Sequence, residues 1–126
     1  MSTFQPRFQT LVEIYEHATE TFEHRPLFGT KKRGDWQWMT YGEFRSQTDH
    51  VRGALSAAGV ETGDRVAIIA NNRPEWAIAA YAAYGIGAAF VPMYESQLTR
   101  DWQYILADCG AKVLFVANES ILDRID

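Results

Sequence analysis

The chain has 126 residues, 47% of them apolar and 22% charged, with twelve basic and sixteen acidic side chains. That length and apolar content suit one folded domain rather than a disordered polymer. A net charge of −4 excludes the dominant basic footprint that nucleic-acid binders need. Cys109 is the only cysteine, so no internal disulfide can form and a reducing, cytoplasmic setting fits. Met1-Ser2-Thr3-Phe4-Gln5-Pro6-Arg7 lacks the continuous apolar segment of a secretory signal.

In chain order, Phe8, Leu11, Val12, Tyr15, Ala18 and Phe22 recur at steps of three and four, which predicts an amphipathic helix over residues 8–24 closed by Pro26. Residues 26–40 predict a β-hairpin. Leu27-Phe28-Gly29-Thr30 and Trp36-Gln37-Trp38-Met39-Thr40 are its strands, and Lys31-Lys32-Arg33-Gly34-Asp35 is its turn. Thr40 and Glu43 have capping-box spacing. The helix they start should bury Phe44, Val51, Leu55 and Ala58 and stop at Gly59.

Three short apolar runs follow at residues 65–70, 88–92 and 111–116, with Val66, Ala89 and Lys112 as equivalent points. Their even spacing leaves room for one helix between successive strands, giving a parallel βαβαβ layer over residues 41–126. The fold class is therefore α/β: a parallel βαβαβ layer preceded by a helix and a β-hairpin. Residues 76–94 carry no charge, but Gly85, Gly87 and Pro92 break them, so a buried helix and strand are expected rather than a membrane span. Leu98, Trp102, Ile105, Leu106 and Cys109 form one stripe of a helix with Thr99 as cap and Gly110 as stop. Ser120-Ile121-Leu122-Asp123-Arg124-Ile125 predicts a further helix and an incomplete piece of a larger protein. The helix from Pro74 to about Tyr84 is apolar all round and should need cover on two sides, one of them from outside these residues.

Asn71-Asn72-Arg73-Pro74-Glu75-Trp76 sits at a strand-to-helix junction. Pro74 suits the first helical position, Glu75 the first turn, and the asparagines a turn. A phosphate loop there would need glycines. The expected role is structural. Gly85-Ile86-Gly87 lies at a helix-to-strand junction, the reverse of a dinucleotide fingerprint. Arg33-Gly34-Asp35 and the charges of Lys31, Lys32 and Arg33 are expected to be a solvated turn. Trp36 and Trp38 share one strand face and are expected to cover a core or an interdomain contact. His17, His24 and His50 have no metal-ligand spacing, and Cys109 beside Asp108 is not set up as a thiolate. No catalytic, cofactor-binding or metal residue is assigned.

Several segments together resemble the start of the adenylate-forming enzymes. They are Trp38-Met39-Thr40-Tyr41-Gly42-Glu43-Phe44, Leu55-Ser56-Ala57-Ala58-Gly59-Val60, Gly63-Asp64-Arg65-Val66-Ala67-Ile68, Asn72 with Glu75-Trp76, Gly87-Ala88-Ala89-Phe90-Val91-Pro92-Met93-Tyr94 and residues 104–115. Pro92-Met93-Tyr94-Glu95-Ser96 is similar to the fatty-acyl type of acyl-CoA synthetase. The resemblance covers residues 8–126 and implies that residues 1–126 are the first portion of a large N-terminal domain. It implies a two-step ligase that uses ATP and Mg²⁺ to adenylate a carboxylic acid and then passes the acyl group to CoA. The family's Pro-Lys-Gly loop, its aromatic-Gly-x-Thr-Glu segment and its C-terminal lysine do not occur here, so the resemblance brings no catalytic residue. The partners it implies are the remainder of the parent chain, a fatty acid or other carboxylic acid, ATP and CoA, with a homodimer and peripheral membrane contact as further options. The alternative is a self-contained small α/β binding module.

Overall fold

The computed structural model describes residues 3–125. Part of the expectation for the N-terminus concerns Met1 and Ser2, which, like Asp126, lie outside the described residues. The chain divides into two compact units, residues 1–46 and residues 47–126.

In the first unit, α1 spans Leu11–Thr21, shorter than residues 8–24. Thr10 caps it, its hydroxyl accepting from the Glu13 amide at 3.1 Å, while Glu13 accepts from the Gln9 amide at 2.6 Å. Thr10-x-x-Glu13 has the spacing of the cap expected at Thr40, with Glu13 reaching the amide of Gln9 rather than that of the cap residue, and it outranks the apolar period that starts at Phe8. Pro26 does not close α1; it opens strand β1 (Pro26–Lys32), which pairs antiparallel with β2 (Asp35–Thr40). The turn is only Arg33 and Gly34, at φ 52° and 85°. Two left-handed central residues are what a type I′ hairpin needs to match strand twist, so Lys31, Lys32 and Asp35 belong to the strands rather than the turn. Helix α2 (Tyr41–Ala57) starts with the expected capping box, Thr40 and Glu43 each donating and accepting at 3.1 Å. Phe44 is buried and meets Tyr15 and Phe28 edge to face, with ring centroids 5.6 and 5.4 Å apart.

In the second unit, α2 continues and ends where Gly59, at φ 90°, turns the chain. Ala58 is exposed, and Val60 takes the buried place expected of it. Strands β3 (Arg65–Ile69), β4 (Ala89–Met93) and β5 (Val113–Val116) form a parallel sheet in the order β4-β3-β5. Val66 pairs with Phe90 and Val113, one residue off the expected Ala89 and Lys112. A one-residue step matters because it exchanges the two faces.

The faces are filled by alternate residues. Val66 and Ile68 pack with α2 and with α3 (Pro74–Ile86), through Leu55, Ala79, Ala82 and Ala83. Ala67 and Ile69 pack with α4 (Thr99–Cys109) and α5 (Glu119–Ile125), through Trp102 and Ile121. The second unit is a helix–sheet–helix sandwich, and residues 76–94 are divided between α3 and β4 as expected. No described helix is long and apolar enough to cross a membrane.

Part of the cover expected for α3 from outside comes from this chain itself. Ile78, Ala79, Ala80, Ala82 and Ala83 of α3 are buried, and none of its other apolar side chains is fully exposed. The second cover comes from α2 of this same chain, with Leu55 in the α3 cluster and Arg52 lying against Gly85. Trp76, Ala77, Tyr81, Tyr84 and Ile86 of α3 stay half-covered, as do Val113, Leu114, Phe115 and Val116 of edge strand β5.

Candidate functional site

In open parallel sheets, ligands bind outside the carboxyl ends of strands whose connections leave toward opposite faces. Here β3 leads to α3 on one face and β5 leads to α5 on the other. Between those strand ends lies a cleft of about 280 Å³, walled by Ile68, Ile78, Ala79 and Phe115, with Gln47, Arg73 and Glu75 among its polar groups. A second cleft, of about 370 Å³, opens at the ends of β3 and β4 and is lined by Asn71, Asn72, Trp76, Met93 and Tyr94.

The Asn71–Trp76 segment builds parts of both clefts. Arg73 is the N-cap of α3 in extended backbone without a side-chain cap bond, and Pro74 fills the first helical position as expected. The Arg73 Nε donates to Glu75 Oε2 at 3.0 Å, and that carboxylate raises the Arg73 pKa above its ordinary value. The loop is pinned by Glu95, whose carboxylate accepts from the Asn71 amide at 2.6 Å. Punctuation is therefore carried by Arg73, Pro74, Glu75 and Glu95, while the exposed Asn71 and Asn72 line the second cleft. Glu95 lies in the fatty-acyl-type segment after β4, and no local rule pairs it with residue 71. Gln47 and Phe115 reach the first cleft only through the fold.

The β4–α4 connection is fixed by Trp102, which is fully buried and donates from Nε1 to the Tyr94 carbonyl at 2.8 Å. Tyr94 in turn donates its amide to Gln97 Oε1 at 2.9 Å. The cap of α4 is Leu98 rather than Thr99; the Thr99 hydroxyl instead accepts from Arg124 Nε at 3.0 Å. At the opposite end of the sheet, Asp64 accepts from the Glu61 amide at 2.7 Å and from Lys112 at 3.2 Å. The Glu61 bond first, and then Lys112, hold its carboxyl below the ordinary value of 3.8. Burial pushes the Tyr81 hydroxyl pKa up on α3.

The remaining residues singled out in the sequence stand apart from the clefts. His17 accepts from Arg7 at 3.2 Å and packs on Phe8, while His24 and His50 are exposed. The Cys109 thiol donates to the Leu106 carbonyl at 3.7 Å. Gly87 caps α3 at φ 82°. Trp36 and Trp38 are each 59% exposed and cover no core.

The described lining of both clefts contains no His, Lys, Ser or Cys. The arrangement can hold a small molecule, and its ionisable groups are Arg73, Glu75 and Tyr94. It does not fit a triphosphate. Its one guanidinium is paired with Glu75, Pro74 removes an amide from the α3 terminus, and the β3–α3 loop has no glycine.

Comparison with known proteins gives the family. Residues 15–126 match the family model described as AMP-binding enzyme. The chain is 28% identical over 121 residues to long chain acyl-CoA synthetase 7, peroxisomal, of Arabidopsis thaliana, covering 92% of this chain and 17% of that protein. It is 37% identical over 107 residues to the long-chain-fatty-acid–CoA ligase FadD15 of Mycobacterium tuberculosis, covering 85% and 18%. It thus spans under a fifth of the length of these curated relatives. Among solved structures, the fatty acyl-adenylate ligase from L. pneumophila, in complex with acyl adenylate and pyrophosphate, superposes with a TM-score of 0.82 at 17% identity, over 95% of this chain and 22% of that one. The ordered motifs, the parallel sheet and the match over residues 15–126 place this chain in the AMP-binding enzyme family.

Proposed function

We propose that the chain serves as a scaffold segment of an ATP-dependent acyl-CoA ligase acting on a fatty acid or related carboxylic acid. In the parent reaction the carboxylate oxygen attacks the α-phosphorus of ATP. Pyrophosphate leaves and the acyl-adenylate forms. The CoA sulfur then attacks the acyl carbon, its proton is released, and AMP departs. The segment's task is to hold the β4-β3-β5 layer on which the rest of the parent packs, while the catalytic groups come from that remainder. The carrying observation is the family match over residues 15–126, in a chain that spans under a fifth of its curated relatives. The half-covered apolar residues of β5 add to it, since such a strand gains by further cover.

The test is pyrophosphate release by the purified chain with oleate, ATP and Mg²⁺. None is expected above buffer, and measurable turnover would refute the reading. The clefts at the strand ends favour one second reading, a small binding module. A rise in melting temperature with ATP, AMP, CoA or FMN would support that module instead, because a bound ligand stabilises by mass action.

A further inference from the structure

The hairpin carries an unusual surface for a chain of net charge −4. Its register sets Gly29 opposite Trp38 and Lys31 opposite Trp36. By alternation, these four share the face opposite to that of Phe28, Thr30, Gln37 and Met39. Phe28 meets Phe44, so its face is the one turned to the first unit's core. The other face presents both indoles, stacked with centroids 6.0 Å apart and planes at 26°. Trp38 lies across Gly29 so closely that a Cβ there would come within 2.7 Å of its ring. The glycine thus lets the aromatic pair lie flat on the backbone. Lys31 is on the same face, Lys32 and Arg33 follow at the exposed tip, and Asp35 stands opposite Lys32 on the other face.

We propose that this face of the hairpin, Lys31 with Trp36 and Trp38 and the Lys32-Arg33 tip, binds the surface of an anionic lipid membrane. Indoles settle at the headgroup level, where the ring is shielded from water and its N–H stays wet. Lysine and arginine beside them are drawn to anionic headgroups, and this attraction decays within about 8 Å at physiological salt. The local basic tip therefore acts despite the acidic balance of the whole chain. That same acidic balance argues against nucleic acid, which needs many phosphate contacts. The inference rests on the hairpin alone and is independent of the ligase reading.

The experiment is co-sedimentation of the 126-residue chain with phosphatidylcholine vesicles, with and without phosphatidylglycerol, alongside tryptophan emission. Binding and a blue shift are expected only with the anionic lipid, and both should weaken as salt rises. Replacing Lys31, Lys32 and Arg33 by Ser should lower partitioning roughly a hundredfold, at about fivefold per charge. Trp36→Ala should lower it about tenfold, with Trp36→Phe recovering part of the loss. Far-UV circular dichroism of each variant checks folding, and Trp36 is the safer site because Trp38 is the ring seated on Gly29. No binding, equal binding to both vesicles, or binding indifferent to these variants would overturn the proposal. So would light scattering that shows a dimer whose tryptophan emission is already blue-shifted without vesicles, or tighter binding to an oligonucleotide than to vesicles.

Discussion

Trp102 ties the β4–α4 connection to the sheet, and its removal tests whether that tie organises the second unit. The side chain is fully buried with Ala67, Ile69, Met93 and Ile121, and it also carries the bond to the Tyr94 carbonyl and the Arg124 guanidinium 4.2 Å above its ring. Trp102→Ala forfeits the buried ring and leaves a cavity, a loss of about 3–5 kcal/mol. Trp102→Phe keeps most of the packing but loses the N–H donor and part of the volume, about 2 kcal/mol in all. A domain of this length loses about 4 °C of melting temperature per kcal/mol, so the shifts should be roughly 15 °C and 8 °C. Urea unfolding followed by far-UV circular dichroism measures both without relying on tryptophan emission. If both variants cost less than about 1 kcal/mol, or the two cost the same, Trp102 is not the tie described here.

Three further outcomes follow from particular contacts. The Thr48 hydroxyl is buried without a hydrogen-bond partner among the described residues, so the near-isosteric Thr48→Val should stabilise by about 1 kcal/mol in the same urea assay. Gly87 and Gly34 have similar φ, but a Cβ at Gly87 would sit 3.0 Å from Thr62 Cγ2 while Gly34 faces open space. Gly34→Ala should cost about 1–2 kcal/mol for left-handed backbone alone, and Gly87→Ala distinctly more. Equal losses would refute the close approach. Asp64 has a depressed pKa, so its stabilisation is present above the ordinary value of 3.8 and is lost as pH falls through the lower folded value. Asp64→Asn should therefore weaken the chain at neutral pH and flatten its acid limb, read from melting temperatures across pH 2–6.

Local rules in the sequence located most elements, and the exceptions share a cause. The Thr40–Glu43 cap, Gly59, Pro74 and Gly110 each act within a few residues, and the structure uses them where expected. Thr10 and Glu13 were equally legible by the same rule, yet the apolar period beginning at Phe8 pointed three residues too early. Arg33 hid the tight turn because a non-glycine residue seldom takes left-handed φ, so the five residues from Lys31 to Asp35 looked like one loop. Thr99 had the chemistry of a cap but was taken by Arg124, twenty-five positions away.

By itself, the sequence determined the α/β class, the order of helices and strands, and the ordered motifs of the AMP-binding enzymes, because each depends on neighbours along the chain. Only the tertiary structure decided that α2 covers α3, that β3 runs between β4 and β5, that Glu95 pins Asn71, and that the two indoles face outward. Those outcomes depend on which distant surfaces meet, and apolar attraction has no direction of its own. Side-chain volume and strand register choose among many pairings that composition allows.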